Sequence, residues 1–296
     1  MEINRLKGLG VAMVTPFDNE GNIDIDALKK LTTFLIEGGV DYLVVQGTTG
    51  ESPVLSKTEK QQTLDTVVEV NNGRLPIVFG IGGNNTAALV NDLQTYNLSK
   101  VDAILSASPY YNKPTQEGIY QHYKTLAEAT SLSIILYNVP GRTASNVLPE
   151  TTLRIANDFS NIIAVKEASG NMEQIMALIQ DKPEGFLVIS GDDAITMPII
   201  AAGGDGVISV IGNAFPSEFK NMVSAGLKDE MSTARAMHYN LLPIIPLLFA
   251  EGNPAGVKEV LKYKEICGDA VRLPLVNVSE KLKTALQKET DRINNI

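Results

Sequence analysis

Two hydrophobic periods alternate along the chain. Short, β-branched apolar runs occupy residues 10–17, 42–47, 76–82, 103–109, 133–138, 162–168, 186–191 and 206–212. Runs this uniformly apolar suit strands buried on both faces, hence a parallel sheet with helical crossovers. Between them apolar residues recur every three or four positions, as in 25–38 and 56–72, the spacing of an amphipathic helix. The second of these opens on Ser56-x-x-Glu59, a capping box that satisfies orphan N–H groups, and stops at Gly73, a residue suited to the position after a helix. Eight βα units is the count that closes a (β/α)8 TIM barrel. An open, doubly wound sheet is the main competitor, and the number of strands favours the barrel.

After about residue 217 the strand signal disappears, and 217–227, 230–249, 254–267 and 279–293 all read as helix. Residues 241–249 are very apolar yet carry Pro243 and Pro246, which predicts one kinked, well-buried helix. The expected architecture is α/β: a barrel over residues 1–228 that carries the active site, with a helical extension over 229–296 packed on it. No stretch reads as a linker between independent domains.

Composition narrows the function classes. The 296 residues are 44% hydrophobic and 20% charged, an ordinary globular balance. A net charge of −9 with no Lys/Arg-rich run argues against a nucleic-acid surface. It leaves an anionic substrate open, because a local arginine decides the field inside a pocket. The first ten residues hold no apolar leader segment, and no apolar stretch is long enough to span a bilayer. One cysteine, Cys267, cannot form an internal disulfide, and two histidines, His122 and His238, leave little for a metal. These features predict a reduced, cytoplasmic protein without a structural metal.

Candidate chemistry gathers at strand ends. Lys166 closes the apolar run Ile162-Ile163-Ala164-Val165. Dehydrating an ammonium is costly; a buried lysine escapes that cost by losing its proton, and a neutral amine attacks carbonyls. Its bland alternative is an ion pair with Glu167 or Glu51. One βα unit upstream, a strand ends in Tyr137-Asn138-Val139-Pro140-Gly141-Arg142-Thr143, supplying a phenol and a guanidinium. Tyr137 reads either as a core aromatic or as a general acid/base, and Arg142 either as a surface ion pair or as a carboxylate clamp. Thr48-Thr49, between two glycines, is either a plain turn or a pair of hydroxyls offered to a small anion. Tyr110-Tyr111 follow the fourth strand and suit an interface as well as a site. Gly191 reads as a close-approach glycine, and Asp193 as a helix cap. In a TIM barrel all these strand ends converge on one mouth. The sequence lacks a dinucleotide fingerprint at Gly80-x-Gly82-Gly83 and a P-loop at Gly47–Glu51.

These motifs resemble the pyruvate-dependent class I aldolase superfamily, which includes N-acetylneuraminate lyase, and within it the dihydrodipicolinate synthase family. The resemblance rests on Val14-Thr15-Pro16-Phe17, Gly47-Thr48-Thr49-Gly50-Glu51-Ser52, Ser108-Pro109-Tyr110-Tyr111-Asn112-Lys113-Pro114, the Tyr137 and Lys166 motifs, Ser190-Gly191-Asp192-Asp193, Gly206-Val207-Ile208-Ser209-Val210 and Arg272-Leu273-Pro274-Leu275. It implies an imine between Lys166 and pyruvate, with no cofactor and no metal, and L-aspartate 4-semialdehyde as the acceptor, in lysine and diaminopimelate biosynthesis. It further implies a proton relay of Tyr137, Thr48 and Tyr111, with Tyr111 entering from a neighbouring subunit of a homotetramer built as a dimer of dimers. By the same resemblance Thr49 holds the pyruvate carboxylate, Arg142 holds the carboxylate of the second substrate, and backbone groups near Gly191 and Ile208 line the lysine pocket. The arginine separates this reading from a lyase of sialic or 2-keto-3-deoxy sugar acids, whose pocket needs hydroxyl-binding groups. A non-catalytic binding barrel would require loss of the lysine or its relay. In lysine-inhibited relatives an acidic residue receives the effector's amino group; Ala88 stands there here, with Lys57 and Lys60 nearby, so weak or absent lysine inhibition is expected. Ser52, Asn84 and Tyr110 do fit the effector pattern.

Overall fold

The computed structural model describes residues 3–295. Eight parallel strands close into a barrel in chain order: β1 (Gly8–Ala12), β2 (Tyr42–Val45), β3 (Ile77–Gly80), β4 (Ala103–Ala107), β5 (Ser133–Asn138), β6 (Ile162–Glu167), β7 (Leu187–Ser190) and β8 (Gly206–Ser209). The seam is made by β8 pairing with β1, Gly8 opposite Gly206. A Cβ on Gly206 would lie 2.1 Å from the Gly8 carbonyl oxygen, so the backbones meet there only because the side chain is absent.

Within each strand, side chains alternate between two apolar layers. Ile135, Tyr137, Val44, Val78 and Ile189 fill the barrel interior, while Ile134, Leu136, Val165 and Val188 face the surrounding helices. The first helix, α1 (Ile25–Glu37), shows how the outer ring is made. Asp24 caps it by accepting from the Ala27 N–H, and Leu28, Leu31 and Leu35 point one buried stripe at the strands. Each such leucine contributes roughly 1.5–3 kcal/mol by leaving water. Helix α2 (Lys57–Asn71) has both halves of the Ser56/Glu59 capping box, and its left-handed terminus falls on Asn72, one residue before the expected Gly73.

The ring continues through α3 (Thr86–Thr95), α4 (Gln116–Ala129), the short α5 (Pro140–Thr143), α6 (Pro149–Asp158), α7 (Met172–Asp181), α8 (Thr196–Ala201) and α9 (Pro216–Leu227). Four helices follow: α10 (Met231–Leu241), α11 (Ile245–Phe249), α12 (Ala255–Tyr263) and α13 (Glu280–Asn294). The kinked helix expected near residue 241 is instead a break, with Pro243 in the turn between α10 and α11. It is also only half buried: Ile244, Ile245 and Leu248 pack inward, whereas Pro246 and Phe249 are exposed. Pro243 lacks the N–H a continuous helix needs, so the chain breaks instead of bending.

One irregularity decides the phase of β6. Ile134 pairs with Ile162, but Ile135 pairs with Ala164, so Ile163 is a bulge residue. Ile163 and Ala164 both belong to the interior layer, and alternation resumes with Val165 outward and Lys166 inward.

Candidate active site

The bulge makes Tyr137 and Lys166 register partners on β5 and β6. Partners in a parallel pair point the same way, so phenol and amine share the interior face at the carboxyl end of the barrel. The Lys166 Nζ lies 4.2 Å from the centre of the Tyr137 ring. Lys166 is 5% exposed. Among the described residues no carboxylate forms an ion pair with it. Glu51 is taken by Lys258 at 2.6 Å. Glu167, one residue on, points outward and accepts from Asn138 Nδ2 at 3.0 Å, Gln174 Nε2 at 3.1 Å and the Ser169 N–H at 2.7 Å. This outward network, with Asn146 bonded to both Asn138 and Gln174, holds the ends of the two strands from behind.

A cavity of about 610 Å³ opens over the amine, lined by Thr48, Thr49, Tyr137, Arg142, Lys166, Gly191 and, from the C-terminal extension, Leu242, Ile245, Pro246, Phe249 and Asn253. The size suits a small substrate. Gly191 forms the wall beside the lysine: a Cβ there would come within 2.7 Å of the Ala168 Cβ and 3.1 Å of the Lys166 Cε. Thr49, 2% exposed, sits in the 3-10 turn Thr48–Gly50, and Thr48 is half-buried. Arg142 is exposed on α5, just past β5, which sets its guanidinium at the mouth. A second cavity of about 290 Å³ runs from Thr48, Tyr137 and Arg142 to Ser52, Lys60 and Tyr110.

Two expected residues stand apart. Ile208 is buried in the barrel interior and is not among the residues lining the cavity. Tyr111 is 88% exposed and lines neither cavity. Its φ of 70° is a left-handed conformation that a bulky residue seldom adopts. Asn84 Nδ2 donating to the Tyr110 carbonyl at 3.1 Å and Asn112 Nδ2 to the Asn84 carbonyl at 3.3 Å hold the loop that presents it.

Asp193 is not a helix cap. Asp192 takes that place, accepting from the Ala194 N–H at 2.9 Å, while the buried Asp193 carboxyl accepts from Val210 at 3.0 Å and Ile211 at 2.8 Å, tying β7 to the turn after β8. Sequence reasoning also passed over the apolar residues of α10 and α11 as packing, and Asn253 altogether. The one available signal was the density of apolar residues at 241–249, too many for a surface helix.

A model of the dihydrodipicolinate synthetase family matches residues 5–293. The 4-hydroxy-tetrahydrodipicolinate synthase of Flavobacterium psychrophilum is 56% identical over 287 residues, 97% of this chain and 98% of that one. The enzyme of the same name from Parabacteroides distasonis is 52% identical, covering 96% and 97%. Among solved structures, the chloride-inhibited dihydrodipicolinate synthase of Acinetobacter baumannii, complexed with pyruvate, superposes with a TM-score of 0.95 at 36% identity, over 98% of this chain and 100% of that one.

Proposed function

Since the chain belongs to the dihydrodipicolinate synthetase family, we propose that its barrel mouth condenses pyruvate with L-aspartate 4-semialdehyde through an imine on Lys166. The observation that carries this reading is the buried Lys166 amine, free of any carboxylate partner among the described residues and set against the Tyr137 ring. The neutral amine adds to the pyruvate ketone, and loss of water leaves the imine. Removal of a methyl proton gives an enamine, whose carbon bonds to the aldehyde carbon of the second substrate. The amino group of that substrate then attacks the imine carbon, closes the ring of 4-hydroxy-tetrahydrodipicolinate and expels the Lys166 amine. No electron leaves or enters the system, so the steps ask for no redox cofactor, and the Lys166 imine itself is the electron sink that allows the methyl proton to be lost.

Tyr137, whose ring centre lies 4.2 Å from the amine, carries protons to and from it, with Thr48 on the same cavity wall. Thr49 meets the pyruvate carboxylate, and Arg142 at the mouth meets the carboxylate of the semialdehyde, where its planar fork suits a bidentate contact. Gly191 keeps the lysine pocket narrow, and Ile208 belongs to the same inner apolar cluster as Tyr137. Tyr111 is presented outward on an ordered loop, which fits a relay completed when Tyr111 of the partner subunit enters each site of a cytoplasmic homotetramer.

Borohydride trapping tests the reading. Treating the protein with pyruvate and borohydride should leave a reduced pyruvyl adduct on the peptide carrying Lys166, and Lys166→Ala should take up none. An adduct confined to another lysine would remove the basis of the mechanism.

A further inference from the structure

The turn that carries Thr48 and Thr49 is gripped from outside the barrel. Thr49 Oγ1 lies 3.0 Å from Asn253 Nδ2, a contact between residues 204 apart in sequence. Two residues further along the turn, Glu51 adopts a left-handed φ of 55°. Both its carboxylate oxygens are held by the C-terminal extension: Oε1 by the Lys258 ammonium of α12 at 2.6 Å, and Oε2 by the N–H of Arg272, in the segment between α12 and α13, at 3.0 Å. Lys258 spends another proton on the Ala270 carbonyl at 2.7 Å. A left-handed backbone at a non-glycine residue costs on the order of 1–2 kcal/mol and persists where its surroundings hold it. Lys258 and the Arg272 backbone are that hold on Glu51, and Asn253, just ahead of α12, holds Thr49 two residues earlier in the same turn.

We propose that Asn253 is a positioning residue for pyruvate, acting through Thr49. A threonine hydroxyl has one proton to give and two lone pairs to accept with. The Asn253 amide occupies one lone pair of the Thr49 oxygen, which leaves the hydroxyl proton free to point into the cavity toward an anionic oxygen. Were the asparagine instead an acceptor, the Thr49 proton would be spent on it, and the hydroxyl would have nothing to offer a carboxylate. Asn253 is itself buried, and its Oδ1 has no partner among the described residues, so the side chain's one bond in the site is the one to Thr49. The inference rests on the reading of Thr49 as the carboxylate's partner.

The test compares full-length Asn253→Ala, Asn253→Asp, Thr49→Val and the double variant Thr49→Val/Asn253→Ala. The readouts are kcat, the KM of each substrate and the half-saturating pyruvate concentration for borohydride trapping. Asn253→Ala should raise the pyruvate KM roughly tenfold, the scale of one hydrogen bond to a charged group, and leave the semialdehyde KM in place. Asn253→Asp keeps the shape and loses the donor, so it should do no better; it also carries the test should the alanine variant fold poorly. The double variant should be no worse than Thr49→Val alone. Effects that multiply in the double variant, or a pyruvate KM within about twofold of native for both Asn253 variants, would overturn the proposal. An unchanged pyruvate KM in Thr49→Val would overturn the carboxylate reading itself, and the role of Asn253 with it.

Discussion

Asp193 and His122 are two buried ionisable side chains whose burial acts in opposite directions. Burial pushes the Asp193 carboxyl up to about 6, against the opposing pull of the Val210 and Ile211 N–H groups. Its native form therefore holds a proton more tightly than the unfolded chain, and stability falls as pH rises from about 4 to about 6, then levels. Burial pulls the His122 imidazole down to about 4, where Thr86 bonds its Nδ1 at 2.8 Å. Here the unfolded chain holds the proton more tightly, so stability rises with pH between about 4 and 6.5. The two limbs overlap and offset each other. Asp193→Asn should remove the falling limb and expose the rising one. Its stability relative to the native protein should grow between pH 4 and 6 by on the order of 3 kcal/mol, read from urea midpoints across that range. A constant difference at every pH would show that Asp193 does not titrate there.

At the scale of elements, the strand boundaries stood within three residues of the expected ones because each run is apolar on both faces, except that β1, expected over residues 10–17, ends at Ala12. That same uniformity hid the bulge. Ile162-Ile163-Ala164-Val165 offers no polar residue to mark which side is which, so nothing in the pattern shows that Ile163 and Ala164 face the same way. Strict alternation from Ile162 onward, with no bulge, would turn Lys166 toward the helices. The residues at strand ends could be named because each sits beside a turn with distinctive chemistry, whereas Asn253 owes its place to a partner 204 residues away. Helix α12 owes its own place to charge as well as apolar contact. Lys258 and Glu51 are both essentially inaccessible, and the Lys258 ammonium also lies 4.2 Å from the centre of the Phe17 ring. Burial pulls that ammonium's pKa down, opposed by the Glu51 charge. Lys258→Met would strand the Glu51 carboxylate, at a cost of about 3–5 kcal/mol, and Lys258→Met/Glu51→Gln should recover part of it in urea unfolding. A single-variant loss below about 1 kcal/mol would put the pair among weak surface bridges.

For the molecule as a whole, the cavity between Thr48 and Ser52 presents cationic groups where an amino-acid effector with its own ammonium would need an anion. Lys60 lines that cavity, its ammonium pulled down by burial and by Lys57, and Lys57 is paired with Asp92 at 2.5 Å. Ala88 is exposed nearby and brings no charge. Millimolar L-lysine should therefore leave the initial rate of condensation nearly unchanged, and half-inhibition in that range would contradict the charge argument. The grip of α12 on the turn after β2 also sets an order of maturation. Translation has added all eight strands, and Lys166 with them, by residue 209. Asn253, Lys258 and Arg272 are translated afterwards. A growing chain thus holds its nucleophile before it holds the groups that grip the turn of Thr48 and Thr49, so the wall that α10, α11 and Asn253 add to the cavity is the last part of the site to be made.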